Sequence, residues 1–232
     1  MNKFGLCLFL SILAPLGASA QWTVAAYIGK THTADADIRV ISRPTTDVLF
    51  HNVAFDDRSF QGPLYYGLRA DYMLSRSTGF EAEFMHIKAF ARVNEPVPAS
   101  GTLPVLGNVT TPVPPGLVLP QYNVSHGLNL VLGNFVLRHE LSRRTALDFR
   151  AGLGVAVPHP EIRALGATLE EYQMKGAAMQ VAGGGAFELT RHVFWFAEYK
   201  FTRTRPRFEL GSVSIENTFA THHLVTGLGF RL

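Results

Sequence analysis

The stretch LYYGLRADYML, residues 64–74, decides the fold because its side chains alternate in character from one residue to the next. The apolar phase consists of Leu64, Tyr66, Leu68, Ala70, Tyr72 and Leu74, and the other phase of Tyr65, Gly67, Arg69 and Asp71. A period of two is that of a β-strand, which turns successive side chains to opposite faces. In a barrel that spans a membrane, the apolar face meets lipid and the polar face lines the interior. The stretch therefore predicts a transmembrane β-strand.

The same alternation recurs in seven further segments. They are residues 22–31, 79–90, 122–137, 145–157, 177–189, 193–205 and 221–232. Their bulky apolar phase predicts that Phe80, Phe149, Trp195 and Leu228 face lipid. The segments 22–31 and 122–137 alternate less cleanly. We expect a β-bulge in the second, because Asn129 and Asn134 both suit the same face only if an extra residue lies between them.

The connections between these segments alternate in length. Residues 75–78, 138–144 and 190–192 form short connections, whereas 32–62, 92–121, 158–170 and 206–216 are long. Short periplasmic turns and long extracellular loops are typical of bacterial outer-membrane barrels. We therefore predict an all-β fold, a closed antiparallel eight-stranded transmembrane β-barrel in the bacterial outer membrane.

The long loops leave some alternatives open. TDVLFHNVAF, residues 46–55, is strand-like, and we expect it to form a hairpin above the membrane; a ten-stranded barrel that also uses DIRVIS, residues 37–42, is the alternative. The loop 92–121 carries seven of the thirteen prolines and predicts an extended extracellular excursion. Only residues 164–173 suggest a short helical turn.

The two ends of the chain carry further signals. Residues 1–20 combine a basic start, an apolar run and Ala18-Ser19-Ala20, which predicts a secretory signal peptide, with residues 21–232 as the barrel domain. Cys7 is the single cysteine, so the predicted mature chain has no thiol chemistry. The alternating last segment, which ends in Leu232, resembles the C-terminal signal that barrel assembly machinery recognises. We expect it to pair with the first strand and close a monomeric barrel.

Charged side chains on the inner phase suggest how the barrel interior is filled. These side chains are Arg69, Asp71, Glu81, Glu83, Asp148, Arg150, Glu188, Glu198 and Lys200. Unpaired buried charge is very unfavourable, so we expect these groups to pair across strands and plug the narrow lumen. A formal net charge of +3 without a basic run argues against nucleic acid as a partner.

Four stretches resemble a known family of barrels. SFQGPLYYGLRADY, SHGLNLVLGNFVLR, GLGVAVPHPEI and WFAEYKFT are similar to the OmpA/OmpX-type outer-membrane β-barrel domain, and in particular to barrels like the rhizobial lipid A oxidase. The resemblance implies a small outer-membrane barrel that contacts outer-membrane lipid and lipopolysaccharide. It also raises the possibility of an enzyme that modifies lipid A at the extracellular rim.

Candidate site residues lie at the extracellular strand ends. Neutral imidazoles there could act as a base or bind a metal, although histidines also suit a membrane interface for structural reasons. The candidate catalytic residues are His126, His223, Glu198 and Lys200; the candidate metal ligands are His86, His159 and His222; and the candidate cations for lipid A phosphates are Lys88, Arg203 and Arg205. No cofactor is specified by the sequence.

A serine hydrolase is disfavoured by the sequence alone. Ser125 and His126 are adjacent, so on a regular strand they face opposite sides and cannot form a nucleophile–base pair. Two functions therefore remain: a structural or interaction barrel whose loops contact lipopolysaccharide or surface partners, and a lipid A-modifying enzyme.

Overall fold

The computed structural model describes residues 21–232, so the predicted signal peptide lies outside the described part of the chain. Its strands are β1 (Gln21–Thr33), β2 (Ala36–Ser42), β3 (Thr46–Val53), β4 (Phe55–Asp56), β5 (Tyr66–Met73), β6 (Thr78–Ala91), β7 (Ala99–Leu103), β8 (Gly107–Val109), β9 (Gln121–Glu140), β10 (Thr145–Pro158), β11 (Glu161–Ala164), β12 (Ala167–Leu169), β13 (Ala177–Glu188), β14 (Val193–Thr204), β15 (Arg207–Leu210), β16 (Val213–Asn217) and β17 (Phe219–Arg231). A single turn of 3₁₀ helix spans Pro115–Leu117. No helix within residues 21–232 is long and apolar enough to cross a membrane.

Eight of these strands form a closed antiparallel barrel. Around the ring the order is β1, β5, β6, β9, β10, β13, β14 and β17. The last strand pairs with the first from Thr23 opposite Arg231 to Thr33 opposite Thr221, which closes the ring. The predicted eight-stranded barrel is therefore confirmed. The short connections 74–77, 141–144 and 189–192 lie together at one end, which we call the turn end.

The outer surface of the barrel is apolar on every strand. Phe80, Phe149, Trp195 and Leu228 are each 44–55% exposed, which confirms their predicted outward orientation. Arg69 and Asp71, on the opposite phase of β5, are buried. A continuous apolar surface is unfavourable in water and is characteristic of the lipid-facing band of a membrane barrel.

A network of ion pairs fills the lumen. Arg150 lies at its centre, with its Nε 2.7 Å from Glu81 Oε2 and its Nη1 bonded to Glu198. Arg69 contacts Glu198 at 3.3 Å, and Lys200 bonds to both Glu83 and Glu198. Of the predicted inner charges, Glu188 lies instead at the turn end, where it is partly exposed and bonded to Arg231. The predicted pairing of charges across strands is confirmed, and it plugs this part of the barrel.

The long connections fold into a second sheet at the opposite end. Its strand order is β15-β16-β2-β3-β7-β8, and we call this six-stranded sheet the cap. β2 and β3 form the predicted hairpin, so the ten-stranded alternative is wrong. The Pro-rich loop contributes β7 and β8 to the cap. The helical turn predicted within 164–173 is also wrong, because Leu165 and Gly166 take positive φ and turn the chain into the β11–β12 hairpin.

An apolar core joins the cap to the barrel. The rings of Phe55, Tyr122 and Phe219 pack with centroids 5.5–6.5 Å apart. Phe208 of the cap packs against Tyr122 at 6.1 Å. Because these side chains are buried, the cap end of the barrel is closed by a packed core rather than by an open mouth.

Candidate functional site

A bulge in β9 changes the direction of its side chains near the cap. β6 advances from Ile87 to Ala89 while its partners on β9 run from Leu128 to Val124, so β9 carries two extra residues. Gly127 lies within this bulge with φ +116°, a conformation that a side chain rarely allows. A bulge is therefore present within 122–137, but it lies outside the interval between Asn129 and Asn134 where it was expected.

Asn129 and Asn134 nevertheless lie on opposite faces of β9, because the bulge comes beyond both of them. Asn134 points inward and donates to Glu81 and Glu83 in the lumen. Asn129 points outward, where it pairs with His86. The expectation that both amides share the same face is wrong.

The bulge brings Ser125, His126 and Glu161 together. Glu161 Oε1 lies 2.8 Å from His126 Nδ1 and accepts a hydrogen bond from Ser125 Oγ. Ser125 Oγ lies 3.3 Å from the same Nδ1 atom. Ser125 and His126 are adjacent in sequence, but their side chains are in contact because the bulge interrupts the regular alternation of the strand. Both groups occupy the Nδ1 side, however, whereas a catalytic triad places its hydroxyl and its carboxylate on opposite ring nitrogens.

Two more histidines surround this group on the outer surface. The His159 ring lies 4.9 Å from that of His126, and its Nδ1 is buried without a partner in the described structure. His86 Nδ1 lies 2.9 Å from Asn129 Oδ1, while its Nε2 is likewise buried and unpaired among residues 21–232. We call Ser125, His126, His159, Glu161 and His86 the rim cluster.

The rim cluster lies just beyond the apolar band. Val131 and Val155 are paired, outward and partly exposed, and mark the upper edge of the band on β9 and β10. Toward the cap from Val131, the next outward residue of β9 is Asn129, which pairs with His86. Two residues nearer the cap, Gly127 O accepts a hydrogen bond from His159 N at 2.9 Å. At about 3.3 Å per residue and a strand tilt of about 40°, this places the cluster about 5–10 Å above the band.

The other candidate catalytic residues lie elsewhere. His223 is buried on the inner face, with Nε2 2.9 Å from Thr202 Oγ1 and Nδ1 3.1 Å from Tyr65 OH. Glu198 and Lys200 lie within the lumen network, as predicted. The structure does not bring any of these three together with His126, because the barrel wall separates them.

The candidate metal ligands are also divided. His86 and His159 belong to the rim cluster, but His222 is on β17, which is separated from β9 by β1, β5 and β6. His222 Nδ1 instead lies 2.6 Å from Tyr199 OH. The three histidines therefore cannot share one metal ion. Within residues 21–232, no group of three or more His, Cys, Asp or Glu side chains is arranged to hold one.

The candidate cations have different surroundings. Lys88 is buried, and its Nζ donates to Gln61 O at 2.5 Å, so its prediction as an exposed rim cation is wrong. The segment that precedes β5 folds over this position. Arg203 and Arg205 are exposed, and Arg205 lies 3.7 Å from Glu216. Arg163 of β11 is a further exposed outward cation, which the alternation of residues 161–164 could have indicated.

Comparisons with known proteins found similarity in fold. No protein-family model matches the chain, and no curated protein matches it. The structure is similar to Ail, the attachment invasion locus protein of Yersinia pestis, at 14% identity over 92% of this chain and 99% of that chain, with a TM-score of 0.39. It is similar to Neisserial surface protein A at 10% identity over 90% and 96% of the two chains, with a TM-score of 0.46. It is also similar to the outer membrane protease OmpT from Escherichia coli at 10% identity over 91% and 97%, with a TM-score of 0.45.

The pairing and exposure of the chain's own residues define its class. It is a small eight-stranded β-barrel of the outer-membrane type, with an apolar outer band and a lumen filled by paired charges.

Proposed function

We propose that this chain is a bacterial outer-membrane protein whose cap lies outside the cell and contacts lipopolysaccharide or a surface partner. The observation that carries the proposal is the closed interior. Ion pairs fill the lumen and a packed apolar core covers its cap end, so the outer wall and the cap present the functional surface. The short turns at the other end suit the periplasmic side of such a barrel.

The cap itself offers a polar surface. A groove of about 600 Å³ on its outer face is lined by charged residues that include Asp37, Arg39, Asp47, Arg205 and Glu216. Arg39 and Asp47 form a two-bond ion pair at 2.9 and 3.0 Å across β2 and β3. A surface of paired charges with polar neighbours suits hydrogen-bonded contact with sugars or with a polar protein surface.

Exposed cations support contact with lipopolysaccharide. Arg163 and Arg203 lie outward on strands at the cap end, and Arg205 lies exposed in the connection that follows β14. A guanidinium binds phosphate through paired hydrogen bonds, and the phosphates of lipid A lie at the corresponding level of the outer leaflet. These arginines would therefore anchor the barrel in a lipopolysaccharide layer.

Binding measurements test this proposal. The double variant Arg203→Gln/Arg205→Gln, folded in detergent, should bind purified lipopolysaccharide at least about tenfold more weakly than the wild type, because each charge-assisted bond contributes about 1.5 kcal/mol or more. Arg191→Gln, at the turn end, is the matched control and should bind as the wild type does. Equal affinity of all three proteins would contradict the role of these rim cations.

A second candidate function is modification of lipid A at the rim. The observation that favours it is the rim cluster, in which the carboxylate of Glu161 holds the exposed imidazole of His126. An imidazole held in this way can act as a general base toward a lipid of the outer leaflet. Lipid A from cells that express the wild type, His126→Ala or no protein should then differ in mass only for the wild type. Identical spectra would leave the interaction role alone.

A further inference from the structure

We propose that His126 is the general base of a water-dependent ester hydrolysis, and that Glu161 is its positioning residue. The substrate class is an acyl ester of an outer-leaflet lipid. This inference rests on the proposed outer-membrane location, and it specifies the reaction of the rim cluster.

The carboxylate orients the His126 ring. Glu161 Oε1 can only accept at Nδ1, 2.8 Å away, so in the neutral ring the proton is on Nδ1 and Nε2 carries the lone pair. No hydrogen bond to Nε2 is made within residues 21–232, and the side chain is 53% exposed. An imidazole oriented in this way by a carboxylate is the usual arrangement of a general base.

Ser125 is not the nucleophile in this arrangement. Its hydroxyl donates to Glu161, and it approaches His126 at Nδ1, the nitrogen that already carries the proton. The Nε2 atom therefore has no protein nucleophile beside it and is open to water. Ser125 instead helps to hold the carboxylate against the ring.

The remaining rim histidines surround His126 from within the protein. Asn129 Nδ2 donates to Val157 O at 3.1 Å, which turns its Oδ1 toward His86 Nδ1 and makes that nitrogen the donor. The His159 ring packs against that of His126, with centroids 4.9 Å apart. His86 Nε2 and His159 Nδ1 are enclosed by the protein, so the exposed His126 is the rim imidazole that a lipid can reach.

The height of the cluster points to an ester. Acyl ester bonds of membrane lipids lie where the polar headgroup meets the hydrocarbon, and the cluster is about 5–10 Å above the apolar band. A lipid in the outer leaflet therefore reaches it from the side, without entering the barrel.

The reaction requires only water as a co-reactant. His126 Nε2 takes a proton from water while the water oxygen bonds to the ester carbonyl carbon, whose π electrons move to the carbonyl oxygen. The tetrahedral intermediate then collapses, and the carbon–oxygen bond to the alcohol breaks. The imidazolium returns its proton to the departing alkoxide, which gives a free fatty acid and a deacylated lipid.

The experiment uses the folded mature barrel in detergent with two probes, purified lipopolysaccharide and diacyl phosphatidylethanolamine, and measures released fatty acid by mass spectrometry. His126→Asn should lower the rate at least about 100-fold, the scale of general-base catalysis. Glu161→Gln should lower kcat with KM unchanged, and Glu161→Asp should recover part of it. The turn-end control His192→Asn should stay within threefold of the wild type, about 0.65 kcal/mol. Ser125→Ala should lose less activity than His126→Asn, because Ser125 only helps to hold Glu161.

The outcomes separate the two proposals. Release from lipopolysaccharide alone assigns lipid A as the substrate, and release from phosphatidylethanolamine alone assigns a glycerophospholipid. A wild-type barrel that binds lipopolysaccharide but releases no fatty acid from either probe overturns the hydrolase and leaves the proposed function intact. A loss in Ser125→Ala equal to that in His126→Asn overturns the water mechanism. Heat-dependent migration in gel electrophoresis shows that each variant is folded.

Discussion

Replacement of Lys200 by methionine tests whether paired charges hold the barrel together from within. Lys200 is fully buried, and its Nζ bonds to Glu83 Oε1 and lies 3.1 Å from Glu198 Oε1. Removal of one partner from a buried ion pair costs about 3–5 kcal/mol, because the other charge stays buried. We expect a loss near 3 kcal/mol, because Glu83 keeps neutral donors and Glu198 keeps two arginines. Those neutral donors are Tyr27, Asn134 and Gln180, at 2.6, 3.0 and 2.7 Å.

A double-mutant cycle isolates the pair itself. The double variant Lys200→Met/Glu83→Gln removes both charges, so neither is left unpaired. Its loss of unfolding free energy should be about 2 kcal/mol smaller than the sum of the two single losses, which is within the range for residues in direct contact. The assay is urea unfolding in detergent micelles, followed by the fluorescence of Trp22 and Trp195. Lys30→Met, at an exposed position on β1, is the control and should stay within about 0.5 kcal/mol of the wild type. A Lys200→Met loss no larger than that of the control, or strict additivity of the two losses, would refute the reasoning.

Three further substitutions probe the exterior, the bulge and the cap. Leu68→Arg, near the middle of β5, should destabilise the barrel in lipid vesicles by about 2–4 kcal/mol, whereas Leu74→Arg, just past its turn end, should lose about 0–1 kcal/mol; equal losses would contradict the assigned membrane level. Gly127→Ala should lower unfolding free energy by about 1–3 kcal/mol, because φ is +116° and an added Cβ would come within 2.5 Å of an imidazole; an unchanged urea midpoint would count against it. The hydrogen bond from Arg39 lowers the pKa of Asp47, so its stabilisation is present above the ordinary carboxylate pKa of about 4 and is lost as pH falls through the lower folded value. Hydrogen exchange in the β2–β3 hairpin should therefore accelerate on acidification by an effect below about 1 kcal/mol, and Asp47→Asn should remove that part of the pH dependence.

The barrel could be predicted from the sequence because its determinants are local. Alternation with a period of two is visible within each segment, and it fixed the outward position of Phe149 and the inward position of Arg150 without knowledge of any partner strand. The closed ring followed from the count of segments and the rhythm of their connections. Every strand has one face toward lipid and one toward the lumen, so the same alternation of apolar and polar side chains is required in each segment.

The cap was predicted only in part because its determinants are distant in sequence. β16 pairs with β2, so Glu216 lies opposite Arg39 across more than 170 residues, and no periodicity reports such a pairing. The hairpin β2–β3 was found because its two strands are adjacent. Lys88 was misplaced for a related reason: its exposure depends on a separate segment that covers it and accepts its hydrogen bond.

The rim cluster shows how one irregularity changes a chemical conclusion. On a regular strand Ser125 and His126 diverge, and that geometry alone disfavours any shared site. The bulge adds two residues to β9, and Gly127 within it has a positive φ that glycine adopts readily. As a result, the side chains of Ser125 and His126 both contact Glu161. Glycine next to a histidine in SHGLN was the available signal, since a glycine within a strand often marks a bulge.

The contrast between the lumen and the rim indicates where chemistry can occur. In the lumen, Arg69, Arg150 and Lys200 each have a carboxylate neighbour within 4 Å, and the network is shielded from water and lipid. At the rim, the side chain of His126 is 53% exposed while its Nδ1 is held by Glu161. The inner phase of the strands therefore fills the interior with paired charge, whereas the bulge in β9 leaves an oriented imidazole on the outer surface, where a lipid can reach it.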